Sequence, residues 1–450
     1  MEIDQQIPFL ILMADSGKKL LYITLGYPGD LYSEKSFVEG ELNALLKEFD
    51  EIVLVPTDNF GWQAGYAEKL PERVSVDKSL CLDKVFASRV RKARYILHRE
   101  MLGNLLRMRG EAKSATQWVK GFFQSANILH VSKIIKKIAA RHNMTPRNTV
   151  LMSMWFHDVA GALARLGLKE GWHVATHAHT SDLYDDRMLF RSKNLRNRLL
   201  NGVDRVFSIS KRGTEYMRNR YPDHAHKIVT SPLGSTRLFD VSKLTADEET
   251  SGLLTFATVA RVQEVKCHDL ILETLWELAA LLPHHTVTWE VIGDGEELDA
   301  LKALADKRKR DNFQVIFTGA LENKEIQKRF SQHPPQWFLM MSKTEGLPVS
   351  MGEAMSYGIP VITTDVGDIR ELVTPQCAII LPPPYPGNNW DAPRRYAKEY
   401  ALDLKSAVTD DELRKKLGRA ALAQWEATFN AAETSRRLAA ELSGLLSPTT

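Results

Sequence analysis

The chain has 450 residues, of which 44% are hydrophobic and 26% charged, and its formal net charge is +3. That composition describes a soluble globular protein with room for two or three domains and excludes a disordered one. Cys81, Cys267 and Cys377 are widely spaced and form no CxxC pair, which excludes a disulfide framework and a cysteine zinc site and suits a reducing cytosol.

At the start, the apolar run from Ile7 to Ala14 is too short to span a bilayer and lacks a basic lead-in. No later stretch reaches the length of a membrane helix, so a cytoplasmic protein is expected. Leu20 to Gly26 reads as a buried strand, Ser36 to Lys47 as a helix and Glu51 to Pro56 as the next strand, the opening of a doubly wound domain. The Gly26-Tyr27-Pro28-Gly29 loop reads as a tight turn.

From Asp77 to Asn143 the pattern turns helical and basic. Lys84 to Arg147 carries fifteen basic residues against two acidic ones, leaving the rest of the chain net acidic by about ten. Phe86 to Met108 sets Tyr95, Ile96, Met101, Leu102, Leu105 and Leu106 beside arginines, and Val131 to Arg141 repeats the device. A solvated charged face accounts for this pattern. The sharper reading is adhesion of segment 84–147 to an anionic membrane surface. Nucleic acid is not expected as a partner, since no nucleic-acid module accompanies the charge.

Alternation of strand and helix then resumes: a strand at Thr149 to Met154, a helix at Asp158 to Leu166, and strands at Trp172 to Ala178 and Asp204 to Ile209. His179 follows the third of these and stands at its carboxyl end, where doubly wound sheets place ligands, whereas His177 reads as structural. The polar stretch Ser242 to Ser251 marks a domain boundary. Strands follow at Leu253 to Ala260, Thr286 to Ile292, Phe313 to Phe317, Gln336 to Met341, Val361 to Thr364 and Ala378 to Leu381, then helices from Tyr396 to Leu446. Arg261 and Lys266, on the loop leaving the first of these strands, can converge on a diphosphate, one as a planar fork and the other as a point charge.

The stretch Phe338 to Val373 forms a strand, loop, helix, strand unit. Glu345 and Glu353 bracket its loop, and Gly346-Leu347-Pro348 leaves bare N–H groups at a positive helix start. Ser350 to Glu353 also fits a capping box, in which Glu353 would serve only the helix. The whole phrase, Glu345-Gly-Leu-Pro through Glu353 to Ala354-Met-Ser-Tyr-Gly-Ile-Pro-Val-Ile, resembles the nucleotide-sugar signature of GT-B glycosyltransferases of the large retaining family 4. Two further stretches share the resemblance: Val259-Ala-Arg-Val-Gln-Glu-Val-Lys266, with Ala260 in place of the usual glycine, and Ala178-His-Thr-Ser-Asp-Leu-Tyr184, with Thr180 likewise.

The resemblance implies two Rossmann-like doubly wound domains facing across a cleft, with the last helix crossing back to the first domain. The expected domains are 1–235 for the acceptor, with a basic helical insertion at about 77–143, 236–395 for the nucleotide-sugar donor, and 396–450 as C-terminal helices. It implies that Arg261, Lys266, Gly346 and Leu347 hold the donor diphosphate, Glu353 the ribose hydroxyls, and Glu345 and His179 the transferred sugar. The reaction it implies is retaining hexosyl transfer from a UDP- or GDP-linked sugar to a saccharide acceptor, and the basic segment motivates reading that acceptor as a lipid-linked oligosaccharide. No DxD motif or metal-ligand cluster appears in the sequence, so neither a metal nor another cofactor is expected. The alternatives are a transferase with a soluble small-molecule acceptor, a catalytically inactive nucleotide-sugar-binding regulator, and, last, a glycosidase pairing Glu345 with Glu353.

Overall fold

The structure is a computed structural model. It describes residues 17–29, 34–58, 70–83, 88, 92–109, 111–112, 114–156, 158–184, 193–241, 252–383 and 393–447. The run Ile7 to Ala14, the boundary stretch Ser242 to Ser251, and Lys84, Phe86, Arg89, Val90, Arg91 and Lys113 of the basic segment lie outside the described residues. Two compact units make up the chain: residues 1–232 with 435–450, and residues 233–434.

The first unit is built on a parallel sheet of seven strands: β1 (Lys19–Thr24), β2 (Glu51–Pro56), β3 (Val74–Val76), β4 (Thr149–Ser153), β5 (His173–Ala178), β6 (Arg205–Ser208) and β7 (Ile228–Thr230). Its order is β3-β2-β1-β4-β5-β6-β7, so the direction of winding reverses between β1 and β4. All six residues of β1 are buried, as a parallel strand covered by helices on both faces requires. β3 and β7, three-residue edge strands, escape sequence reading because so short a run carries no periodicity.

Helices α1 (Glu34–Glu48), α2 (Arg99–Arg107), α3 (Ala115–Arg141), α4 (Asp158–Glu170), α5 (Thr180–Leu183), α6 (Lys193–Asn201) and α7 (Lys211–Arg220) complete this unit. The basic segment divides into two kinds of surface. On α3, Val131, Ile134, Ile135, Ile138 and Ala139 belong to the unit's main core, while Lys133, Lys136 and Lys137 are exposed. The apolar face of Val131 to Arg141 is therefore spent inside the protein, and this stretch cannot lie in a membrane interface as the sequence reading allowed. Nor do the apolar residues before it form one stripe: Tyr95 and Met101 are buried, but Ile96, Leu97, Leu102 and Leu106 face solvent.

In the second unit, β8 (Leu253–Val259), β9 (Thr286–Ile292), β10 (Phe313–Gly319), β11 (Trp337–Met340), β12 (Val361–Thr364) and β13 (Ala378–Leu381) form a parallel sheet in the order β10-β9-β8-β11-β12-β13. Winding reverses here between β8 and β11. The helices are α8 (His268–Leu281), α9 (Leu298–Lys307), α10 (Asn323–Gln332), α11 (Val349–Ser356), α12 (Ile369–Leu372), α13 (Pro393–Val408), α14 (Asp411–Thr428) and α15 (Ala431–Gly444). α15 runs across the division, with residues from Ser435 onward grouped with the first unit.

Candidate nucleotide-sugar site

In an open doubly wound sheet, ligands sit outside the carboxyl ends of the strands where the winding reverses. In the second unit that place lies between the loop leaving β8 and the loop leaving β11. There Lys266 Nζ meets Glu345 Oε1 at 2.5 Å, and Ser342 Oγ donates to the same oxygen at 2.5 Å. Lysine, serine and carboxylate are all largely buried, with Glu345 at 8% exposure and Lys266 at 19%. Both bonds fall on Oε1, and no bond to Oε2 is formed among the described residues.

Arg261, on the same loop as Lys266, is 74% exposed and lies 3.9 Å from Glu296. Glu264, on the same loop, accepts from Lys343 Nζ at 2.6 Å. Backbone contacts fix the Arg261 loop: Val262 N–H donates to the Asp294 carbonyl at 3.0 Å, and Glu297 N–H to the Val262 carbonyl at 3.1 Å. A Cβ on Gly295 would stand 2.3 Å from the Val262 carbonyl oxygen, so glycine permits the approach. Gly293-Asp294-Gly295 thus packs against the loop that carries Arg261.

The Glu345 turn is held from its other side. Gly367 has φ +58, and a Cβ there would lie 1.8 Å from the Glu345 carbonyl oxygen, while Asp368 N–H donates to that oxygen at 3.2 Å. Gly346 is half-buried and Leu347 buried. Pro348 caps α11 with no side-chain hydrogen bond, so no capping box forms at Ser350. Glu353 turns instead toward α10, where Asn323 Nδ2 donates to its Oε1 at 2.6 Å. Gln327 holds Asn323 at 2.9 Å, and Tyr357 holds Gln327 at 2.9 Å. Burial pushes the Glu353 carboxyl up to about 7, with the Asn323 hydrogen bond pulling the other way.

His268, next to the Lys266 loop, is 3% exposed, and neither ring nitrogen has a hydrogen-bond partner among the described residues. Burial, then the charge of Lys266, pushes its pKa down to about 4, so it is neutral at physiological pH.

His179 belongs to the first unit. It follows β5, is 6% exposed, and its backbone N–H donates to Asp182 Oδ1 at 2.7 Å. Its Nε2 lies 2.9 Å from the Met154 carbonyl. A carbonyl only accepts, so Nε2 carries the proton. His177 is structural, as expected: its Nε2 meets Glu41 at 3.1 Å, and Tyr22 donates to the same carboxylate at 2.7 Å.

Sequence reasoning missed Ser342 and Asn323 as partners in the site. Ser342 stands three residues before Glu345 at a strand end, a local signal that was available. Asn323 lies thirty residues from Glu353 and gives none.

Residues 245–424 match the family model described as glycosyl transferases group 1. They belong to that family. The group 1 region covers the Arg261 to Lys266 loop, the Glu345 turn and Glu353. A 147-residue stretch of the chain is 26% identical to the UDP-N-acetylglucosamine–peptide N-acetylglucosaminyltransferase GtfA subunit of Streptococcus pneumoniae, and it is 33% of this chain and 27% of that protein. The chain thus spans about a quarter of the length of the curated relative it matches. Among solved structures, Anabaena HepE in complex with UDP and glucose matches 95% of this chain and 100% of its own, at 15% identity and TM-score 0.61. Sucrose-phosphate synthase from Thermosynechococcus elongatus matches 96% and 100%, at 16% identity and TM-score 0.63. These likenesses establish the GT-B fold around the group 1 region.

Proposed function

We propose that the chain is a retaining glycosyltransferase that moves a hexose from a UDP- or GDP-linked donor to a saccharide acceptor, a lipid-linked oligosaccharide of polysaccharide biosynthesis. The observation that carries this reading is the meeting of Lys266, Ser342 and Glu345 where the second sheet reverses its winding, inside the group 1 region. Lys266, Arg261 and the N–H groups at Gly346 and Leu347 take the diphosphate. Charge that builds on the leaving diphosphate is met by donors already in place. Glu345 Oε2 accepts from the transferred sugar, Glu353 from the ribose, and His179 serves the transferred sugar. Side-chain cations and peptide groups perform the stabilisation, and no metal is required. The peptide acceptor in the name of the Streptococcus relative makes a peptide the first alternative acceptor to assay.

The lipid clause rests on the first unit, in which Leu82, Ile96, Leu97, Leu102, Leu106 and Val119 are exposed, as are Arg94, Arg99, Arg107 and Arg109. We read this as a surface that adheres to anionic lipid by apolar insertion and charge together, with the enzyme in the cytoplasm at the inner face of the membrane. Co-sedimentation with phosphatidylglycerol vesicles is expected for the wild type and should be weakened in a Leu102→Ser, Leu106→Ser double variant. Equal recovery in the supernatant with and without vesicles removes the clause. For the transfer itself, Lys266→Ala and Glu345→Ala should remain folded and lose about 10²- to 10³-fold in turnover. Wild-type rates in both would place the chemistry elsewhere.

A further inference from the structure

The first unit has its own winding reversal, between β1 and β4, and a carboxylate of this chain occupies it. Glu34, 1% exposed at the start of α1, accepts from three consecutive backbone N–H groups of the loop after β1: Leu25 at 2.7 Å, Gly26 at 2.9 Å and Tyr27 at 3.1 Å. A fourth donor, Trp155 Nε1 of the loop after β4, reaches its Oε1 at 3.1 Å. A concave array of successive peptide N–H groups at such a place suits an anion. Here it is filled from within, so the carboxylate ties the β1 and β4 loops together.

The tie continues to His179. The rings of Trp155 and His179 stand 4.3 Å apart at 32°, and His179 Nε2–H is held by the carbonyl of Met154, the residue before Trp155. The imidazole therefore has its plane set by the indole and its tautomer set by the β4 loop. The indole's Nε1–H is in turn held on the Glu34 carboxylate at 3.1 Å.

We propose that Glu34 and Trp155 are positioning residues for His179, with Glu34 aligning the indole and the indole aligning the imidazole. The consequence for catalysis rests on the proposed function, in which His179 serves the transferred sugar; the alignment itself does not. Glu34→Gln replaces one acceptor oxygen with an NH₂ group that faces N–H donors. Trp155→Phe keeps an aromatic face and loses the Nε1–H, and Trp155→Ala loses both.

Selective ¹³C labelling of histidine reads the alignment without any substrate. The His179 ring proton resonances, identified by their loss in His179→Ala, should lie upfield in the wild type because of the indole face. In Glu34→Gln and Trp155→Ala they should move downfield, with circular dichroism and melting temperature confirming a folded chain. An unchanged His179 resonance in folded Glu34→Gln overturns the proposal. A double-mutant cycle on kcat reads the consequence: Glu34→Gln should cost about tenfold in the wild-type background and nothing further in His179→Ala. Trp155→Phe should retain more activity than Trp155→Ala. Additive losses overturn the proposal, because a merely structural role lowers both backgrounds alike. A wild type without transfer to any acceptor contradicts the proposed function instead, and the resonance shift then decides the alignment alone.

Discussion

Glu353 is a carboxyl group buried with an amide as its hydrogen-bond partner and its pKa raised to about 7. An acid whose native pKa lies above its unfolded value binds more protons when folded. Its contribution to stability is complete below the unfolded pKa of 4.5 and is lost as pH rises through about 7. The ionised form is the stronger acceptor for a ribose diol. UDP or GDP affinity should therefore rise by up to about tenfold per pH unit below 7 and level off above it. In Glu353→Gln the rise should be shallower, leaving the part that comes from ionisation of the nucleotide's own terminal phosphate. Calorimetric titration from pH 5.5 to 8.5 checks this, and equal slopes in both proteins would refute it. Reading Glu353 from sequence left a capping role open, because Ser350 and Glu353 have the spacing of a capping box; only the fold brings Asn323 to its carboxylate. The Lys266 to Glu345 pairing was closer to legible, since both residues leave strands at the same rim, although which strands are neighbours is a tertiary fact.

At the scale of elements, the loop after β12 depends on one backbone conformation. Gly367→Ala puts a Cβ into the Glu345 carbonyl at a left-handed φ and should shift the Glu345 turn. The expected outcome is a loss of turnover comparable to Glu345→Ala and about 1–3 kcal/mol of stability, measured by kinetics and by urea unfolding. A variant with wild-type turnover would mean that this approach does not set the turn. Strands were the legible elements: Glu51–Pro56, Thr286–Ile292, Val361–Thr364 and Ala378–Leu381 have the same limits in sequence and structure, because each is a short run rich in apolar and β-branched residues bounded by loop residues. The basic helical segment was not. Apolar residues at helical spacing look alike whether they face a core or a lipid, and α3 turned out to spend its apolar face on the core.

Taken as a whole molecule, the two units share a plan but not a charge arrangement at their winding reversals. Glu34 in the first unit is held by peptide N–H groups and an indole. Glu345 in the second is held by Lys266 and Ser342. A diphosphate can displace a carboxylate from a lysine and keep the cation, whereas the groups that hold Glu34 among the described residues are neutral donors. The nucleotide site of the proposed function therefore falls in the second unit. The central claim is that a nucleoside diphosphate binds there through Lys266. Its most direct measurement is thermal unfolding with and without UDP or GDP, in the wild type and in Lys266→Ala. Saturation at one hundred times the dissociation constant stabilises a protein by about 2.7 kcal/mol. The wild type should melt several degrees higher with one of the two nucleotides, and Lys266→Ala should show little of that shift. No shift in the wild type with either nucleotide, or an equal shift in both proteins, would contradict the account.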